Sequence, residues 1–155
     1  MRTIPIQKEA ALKAYKNANS KGKTLLENLL GKKLFLKEVT DRIKTVADVL
    51  EDNNITQEKI EKMFAHTPER FKYQFIAELL CKSLNEGWCP KRDNSNEYKY
   101  YPLFKMDSQG FRFGGYAYWR TISIVGSRLS FKSQKLAEYA GEQFEDLYKQ
   151  FMITQ

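Results

Sequence analysis

At 155 residues the chain is sized for one domain, or one domain with a small appendage, and a hydrophobic fraction of 42% is enough for a real core. No apolar run approaches the roughly eighteen residues of a membrane span, and the start, Met1-Arg2-Thr3-Ile4-Pro5-Ile6, lacks the apolar stretch of a secretory signal, so a cytoplasmic protein with no membrane partner is expected. The net charge of +7 is unevenly spread: residues 1–37 carry +7, residues 38–97 −3, residues 98–132 +5 and residues 133–155 −2, which points to a polyanionic partner or to solubility alone.

In chain order, residues 8–17 read as a short basic helix with a thin face of Ala10, Ala11, Ala14 and Tyr15, broken by the polar run from Asn17 to Gly22. Residues 1–23 are therefore expected to form a basic N-terminal helix or arm, and residues 24–155 a single α+β domain. Thr24 and Glu27 have the spacing of a capping box, in which hydroxyl and carboxylate satisfy the free N–H groups of a new helix reciprocally. Thr45 with Asp48 and then Thr56 open two further short helices. Thr67-Pro68-Glu69 predicts a strong start, with hydroxyl N-cap, proline at the first helical position and an acid in the first turn. The helix that follows, to Glu86, carries Phe71, Phe75 and Leu79 in one row and Ile76, Leu80 and Leu84 in the next, with Lys72, Gln74, Glu78, Lys82 and Asn85 opposite. Gly87 stops it, and Pro90 to Asn96 is a polar loop.

Beyond residue 97 the hydrophobic period drops from about 3.6 to 2. The stretch Tyr98–Phe131 holds ten aromatic residues in thirty-four positions, with five basic residues against the single acid Asp107. Pro102 marks an edge strand, Asp107-Ser108-Gln109-Gly110 a turn, and Gly114-Gly115 a two-residue hairpin. A small antiparallel meander of three or four strands over residues 98–131 is expected, with Ile122 and Ile124 in its later strands. Ser133 caps a long closing helix, whose stripe of Leu136, Ala140, Phe144, Leu147 and Phe151 should cover one side of the sheet. The fold class is α+β, helix-dominated over its first two-thirds.

Few residues carry recognisable chemistry. Gly22-Lys23-Thr24 resembles the tail of a phosphate loop, but Asn17 stands where the pattern requires glycine, and a polar helix precedes it in place of a buried strand. His66, the only histidine, and Cys81 and Cys89 lack tetrahedral metal spacing and a fourth ligand. The thiols are expected to stay reduced. Carboxylate clusters (Glu51-Asp52, Glu58 with Glu61, Glu142 with Glu145 and Asp146) fall on polar helix faces. No catalytic residue, metal or cofactor is assigned, and the chain reads as a non-enzymatic protein.

The residues Asn85 to Pro90, Glu97 to Pro102, Gly126 to Ser133 and Leu136 to Phe144 carry a resemblance to uncharacterised small proteins of bacteriophages and integrated mobile elements of anaerobic gut bacteria. It covers the C-terminal half well and the N-terminal half loosely. The resemblance implies a genomic context and no activity, so no functional residue is carried over. Three roles follow from it as expectations: a nucleic-acid accessory, a virion component, or an inhibitor of a host defence protein.

The chemistry of the late segment favours the first. Cationic side chains along a phosphate track and aromatic faces for bases are what single-stranded nucleic acid requires. Lys99, Tyr101, Lys105, Arg112, Trp119, Arg120 and Arg128 are the candidate contacts for nucleic acid or nucleotide phosphate, in the host cytoplasm or a virion. The alternative is a protein-interaction module or homo-oligomer, because exposed tyrosine, tryptophan and arginine also anchor protein interfaces. An enzyme ranks last.

Overall fold

The structure is a computed structural model that describes residues 5–91, 94, 96–120 and 127–153. It is α+β and divides into two compact units, Met1–Arg42 and Ile43–Gln155. Among the described residues, no helix is long and apolar enough to cross a membrane.

The first unit is made of α1 (Lys8–Asn17), α2 (Ser20–Leu30) and two single turns, α3 (Lys32–Phe35) and α4 (Val39–Arg42). The opening helix packs on its neighbours. The Tyr15 ring stacks on Phe35 with centroids 4.3 Å apart, and its hydroxyl donates to Glu27. That bond to a carboxylate pushes the Tyr15 hydroxyl up to about 12. The Thr24–Glu27 capping box is not formed. Asn19 caps the helix a turn earlier, its Oδ1 accepting from the Gly22 N–H at 2.9 Å, while the Thr24 hydroxyl donates to the Ser20 carbonyl. With an amide acceptor already at the Ncap position, Thr24 becomes an interior residue of α2.

In the second unit, Thr45 and Asp48 form the expected capping box of α5 (Val46–Asp52), and Thr56 caps α6 (Gln57–Phe64). The long helix α7 runs Glu69–Asn85. Pro68 occupies its Ncap position, one residue later than expected, and the Thr67 hydroxyl donates back to the Phe64 carbonyl. Ile76, Leu79, Leu80, Cys81 and Leu84 are buried, whereas Phe71, at the N-terminal end of the predicted stripe, is exposed. Asn85 is not on a solvated face. Its Nδ2 donates to the Ser130 carbonyl at 2.7 Å and its Oδ1 accepts from the Lys132 N–H at 2.9 Å. Between those two residues, Phe131 exchanges both backbone hydrogen bonds with Tyr100, at 2.8 and 3.1 Å. One buried amide thus fixes the segment against which the sheet is laid.

Among the described residues that sheet is one antiparallel hairpin of β1 (Lys99–Asp107) and β2 (Gly110–Trp119), the first two strands of the expected meander of three or four. Phe131 contributes one bridge, and Ile122 and Ile124 lie outside the described residues. The turn is at Asp107–Gly110. Asp107 Oδ1 accepts from the Gln109 N–H, and Gly110 takes the positive φ (+94°) that closes a turn of this kind. Gly114-Gly115 is not a turn but a β-bulge. Leu103 pairs with Gly115 and Phe104 with Phe113, so Gly114 is the extra residue, and Gly115 has φ +124°.

The closing helix is two helices, α8 (Gln134–Gln143) and α9 (Glu145–Met152), joined at Phe144, which leaves helical geometry with φ −119° and ψ 28°. The break follows from two docking surfaces: α8 lies on the hairpin and α9 on α7. At Gly141 the approach is so close that an added Cβ would sit 2.3 Å from the Phe113 ring. Just past the break, Glu145 turns its carboxylate onto the Phe113 N–H at 2.7 Å, beside the bulge.

Candidate ligand face of the hairpin

Successive side chains of a strand alternate between faces, and directly opposed residues share one. The register therefore puts Lys99, Tyr101, Leu103 and Lys105 of β1 on one face with Trp119, Ala117, Gly115 and Arg112 of β2. Arg112 and Trp119 are seven residues apart. In an unbroken strand they would point to opposite sides, and the extra residue Gly114 brings them to the same one. The stem of Lys105 crosses this glycine so closely that a Cβ there would lie 2.8 Å from its Cγ.

Five of the seven candidate contacts share this face, but they are not equally available. Lys99 is 6% exposed; its ammonium donates to the Arg120 carbonyl at 2.9 Å and lies 4.0 Å from Glu97. Glu97 also accepts from the Trp88 indole N–H and the Lys91 N–H, so Lys99 belongs to a clamp that holds the preceding loop. Tyr101 is 8% exposed and forms part of an inner wall. Trp119 is 46% exposed and Leu103 47%. Near the tip, Lys105 is exposed opposite Arg112, whose guanidinium is paired with Asp107. Arg112 and then the Gln109 N–H hold the Asp107 carboxyl below its usual range. The tip therefore carries two cations and one anion.

The remaining two candidates stand apart. The Arg120 guanidinium lies 4.4 Å from the centroid of Tyr98 and also bonds its hydroxyl. Arg128 is open to solvent and 3.8 Å from Glu78. Tyr98, Tyr100, Tyr116 and Tyr118 form a cluster that the sequence reading did not isolate, with centroids 5.3–6.4 Å apart. The turn at Asp107–Gly110 alone would set Tyr100 opposite Ala117; only with the bulge at Gly114 does Tyr100 fall opposite Tyr118 and Pro102 opposite Tyr116. Such aromatic pairs contribute roughly 0.5–1.5 kcal/mol each beyond the area that they bury.

Between Trp119 and the tip lies a cavity of about 270 Å³, bounded by Leu103, Ala117 and Trp119 of this face, by Phe104 and Tyr118 of the other, and by Phe151 of α9. Its lining is almost wholly carbon. Behind it, the Tyr148 hydroxyl and the Cys81 thiol are buried together, and burial pushes both up, so both stay protonated at neutral pH. Cys81 is thus a core thiol and no nucleophile; Cys89 is free and exposed, and the two form no disulfide. His66 is exposed, and among the described residues no group of three or more His, Cys, Asp or Glu side chains is placed to hold a metal ion. No protein-family model, curated protein or solved structure matches this chain.

Proposed function

We propose that the chain is a non-enzymatic accessory protein, of the phage type that its C-terminal half resembles, and that it binds nucleic acid or nucleotide phosphate. The observation that carries the reading is the register of the hairpin, which sets Trp119, Ala117 and Leu103, part of the wall of an apolar cavity, on the same face as Lys105 and Arg112. Supporting it is the charge of the first unit: residues 1–42 hold ten basic and four acidic side chains, so +6 of the net +7 lies there. Cations attract a polyanion at long range, and an apolar aromatic surface holds what arrives.

Binding to a labelled oligonucleotide tests this directly. Affinity should fall steeply as salt rises, and Trp119→Ala and Lys105→Ala should weaken it while leaving the thermal transition in place. No affinity at low salt, or affinity unchanged in both variants, rejects the reading. A second reading, a protein-docking module, is favoured by one observation: Leu103, Met106, Trp119 and Met152 are all exposed apolar side chains on or beside the hairpin. It expects a defined oligomer or a stoichiometric protein complex, with no response to nucleic acid.

A further inference from the structure

The cavity and its surroundings say more about the ligand than that it is anionic. A volume of about 270 Å³ falls just under the roughly 300–1,000 Å³ of sites that enclose drug-sized molecules. It suits one ring system rather than a stacked pair. The walls are aromatic or aliphatic, and Ala117 is the smallest side chain that lines the cavity. Two residues beyond Leu103, roughly 7 Å along the strand, stands Lys105, with Arg112 opposite. Asp107 neutralises part of that charge, which leaves the tip with one net positive charge. The arrangement is an apolar slot with a cation one step away.

We infer that the slot receives a single unpaired nucleobase, with the neighbouring phosphate held by Lys105 and Arg112, so that the protein selects single strands over duplex and is tolerant of base sequence. This inference rests on the nucleic-acid reading above and deepens it. In a duplex the base edges are paired and the ring faces are stacked, so no ring can enter the slot without being extruded at a cost of a few kcal/mol. A lining of carbon offers ring contact and no hydrogen-bond pattern, which is why discrimination among bases should be weak while discrimination against an absent base should be strong. The positive charge complements the phosphate backbone, and that complementarity favours a nucleic acid over an apolar peptide as occupant.

The test uses the full chain and three fluorescein-labelled probes matched in phosphate number: an oligothymidylate, its abasic counterpart, and a duplex. At low salt the oligothymidylate should bind roughly tenfold or more tighter than either of the others, the scale of one stacked base. Trp119→Ala, and separately Ala117→Leu, which fills the slot, should bring oligothymidylate affinity down to the abasic level. The melting temperature of each variant shows that it is folded, and the exposed Trp119 site keeps the test intact if Ala117→Leu is not. Equal binding of all three probes, or a base preference unchanged in Trp119→Ala, overturns the slot while the polyanion reading stands. Binding of none of them overturns both. Saturable binding of an apolar peptide in the slot, with no oligothymidylate binding, replaces the nucleobase by a protein partner.

Discussion

The two units of this chain divide charge and shape between them. Residues 1–42 carry +6 in helices that bury few side chains; α2 has none buried. Residues 43–155 hold sixteen basic and fifteen acidic side chains, for +1, and contain the core, the hairpin and the cavity. A screened, long-range attraction and a short-range, salt-insensitive fit are different physical quantities, and here they are encoded in different parts of the sequence. Separate mutations can therefore address each.

The largest effect should come from Gly141. Gly141→Leu would drive a side chain into the Phe113 ring, where an added Cβ alone would sit at 2.3 Å. Overpacking of this kind costs about 1–3 kcal/mol, read as a lower midpoint in thermal or chemical denaturation, with loss of the hairpin contribution to binding. Asn85→Ala comes next. It removes the bonds of the Asn85 amide to the Ser130 carbonyl and from the Lys132 N–H, at about 1–3 kcal/mol, and Asn85→Asp should restore only the bond from Lys132. Charge reversal of the exposed Lys13 and Lys16 in the first unit sharpens the contrast from the other side. If each meets a phosphate, the log–log salt slope for single strands shrinks by about 1.4, whereas Trp119→Ala should leave the slope alone. Equal slopes in all variants would mean that charge and fit are not separable.

The smallest effects are those of pH. Tyr15 has its folded value raised to about 12 by Glu27, against about 10 unfolded. Its stabilising contribution is complete below pH 10 and is lost as pH rises through 12. A spectrophotometric titration should show one late phenol fewer in Tyr15→Phe, with the buried Tyr148 remaining late in both proteins. Asp107 is opposite in sign. Its folded value is lowered by Arg112, so the tip pair contributes above the ordinary carboxylate range and is lost as pH falls through the lowered value. In acid the tip becomes more cationic, and oligonucleotide affinity should rise slightly.

Local signals were legible where they were self-sufficient. The Thr45–Asp48 box, the Thr56 cap, the 3.6-residue stripe of Ile76, Leu80 and Leu84, and the Asp107–Gly110 turn each depend on residues within one or two turns of chain, and the α+β class follows from where the period changes. What escaped depends on partners far away. Asn85 is polar by type and buried by a carbonyl forty-five positions later. The break at Phe144 reflects two different surfaces for α8 and α9, while the apolar spacing runs through it unbroken. The glycine pair at 114–115 has the composition of a turn, and only the register shows a bulge.

Gly114 has a further consequence, for length rather than composition. The hairpin has a phase, and β2 carries one residue more than β1 between the Lys99–Trp119 and Lys105–Arg112 pairs: remove Gly114 and Arg112 stands six residues from Trp119, on the same face and with the same partners, in a ladder without a bulge. A chain shortened by one at this point would keep the juxtaposition of ring and guanidinium, whereas one shortened by a residue between Lys99 and Lys105 of β1 would turn Lys105 to the other face. Deletion of Gly114 should therefore be far better tolerated than deletion of a single residue of β1, a contrast that a deletion scan scored by oligonucleotide binding would read directly.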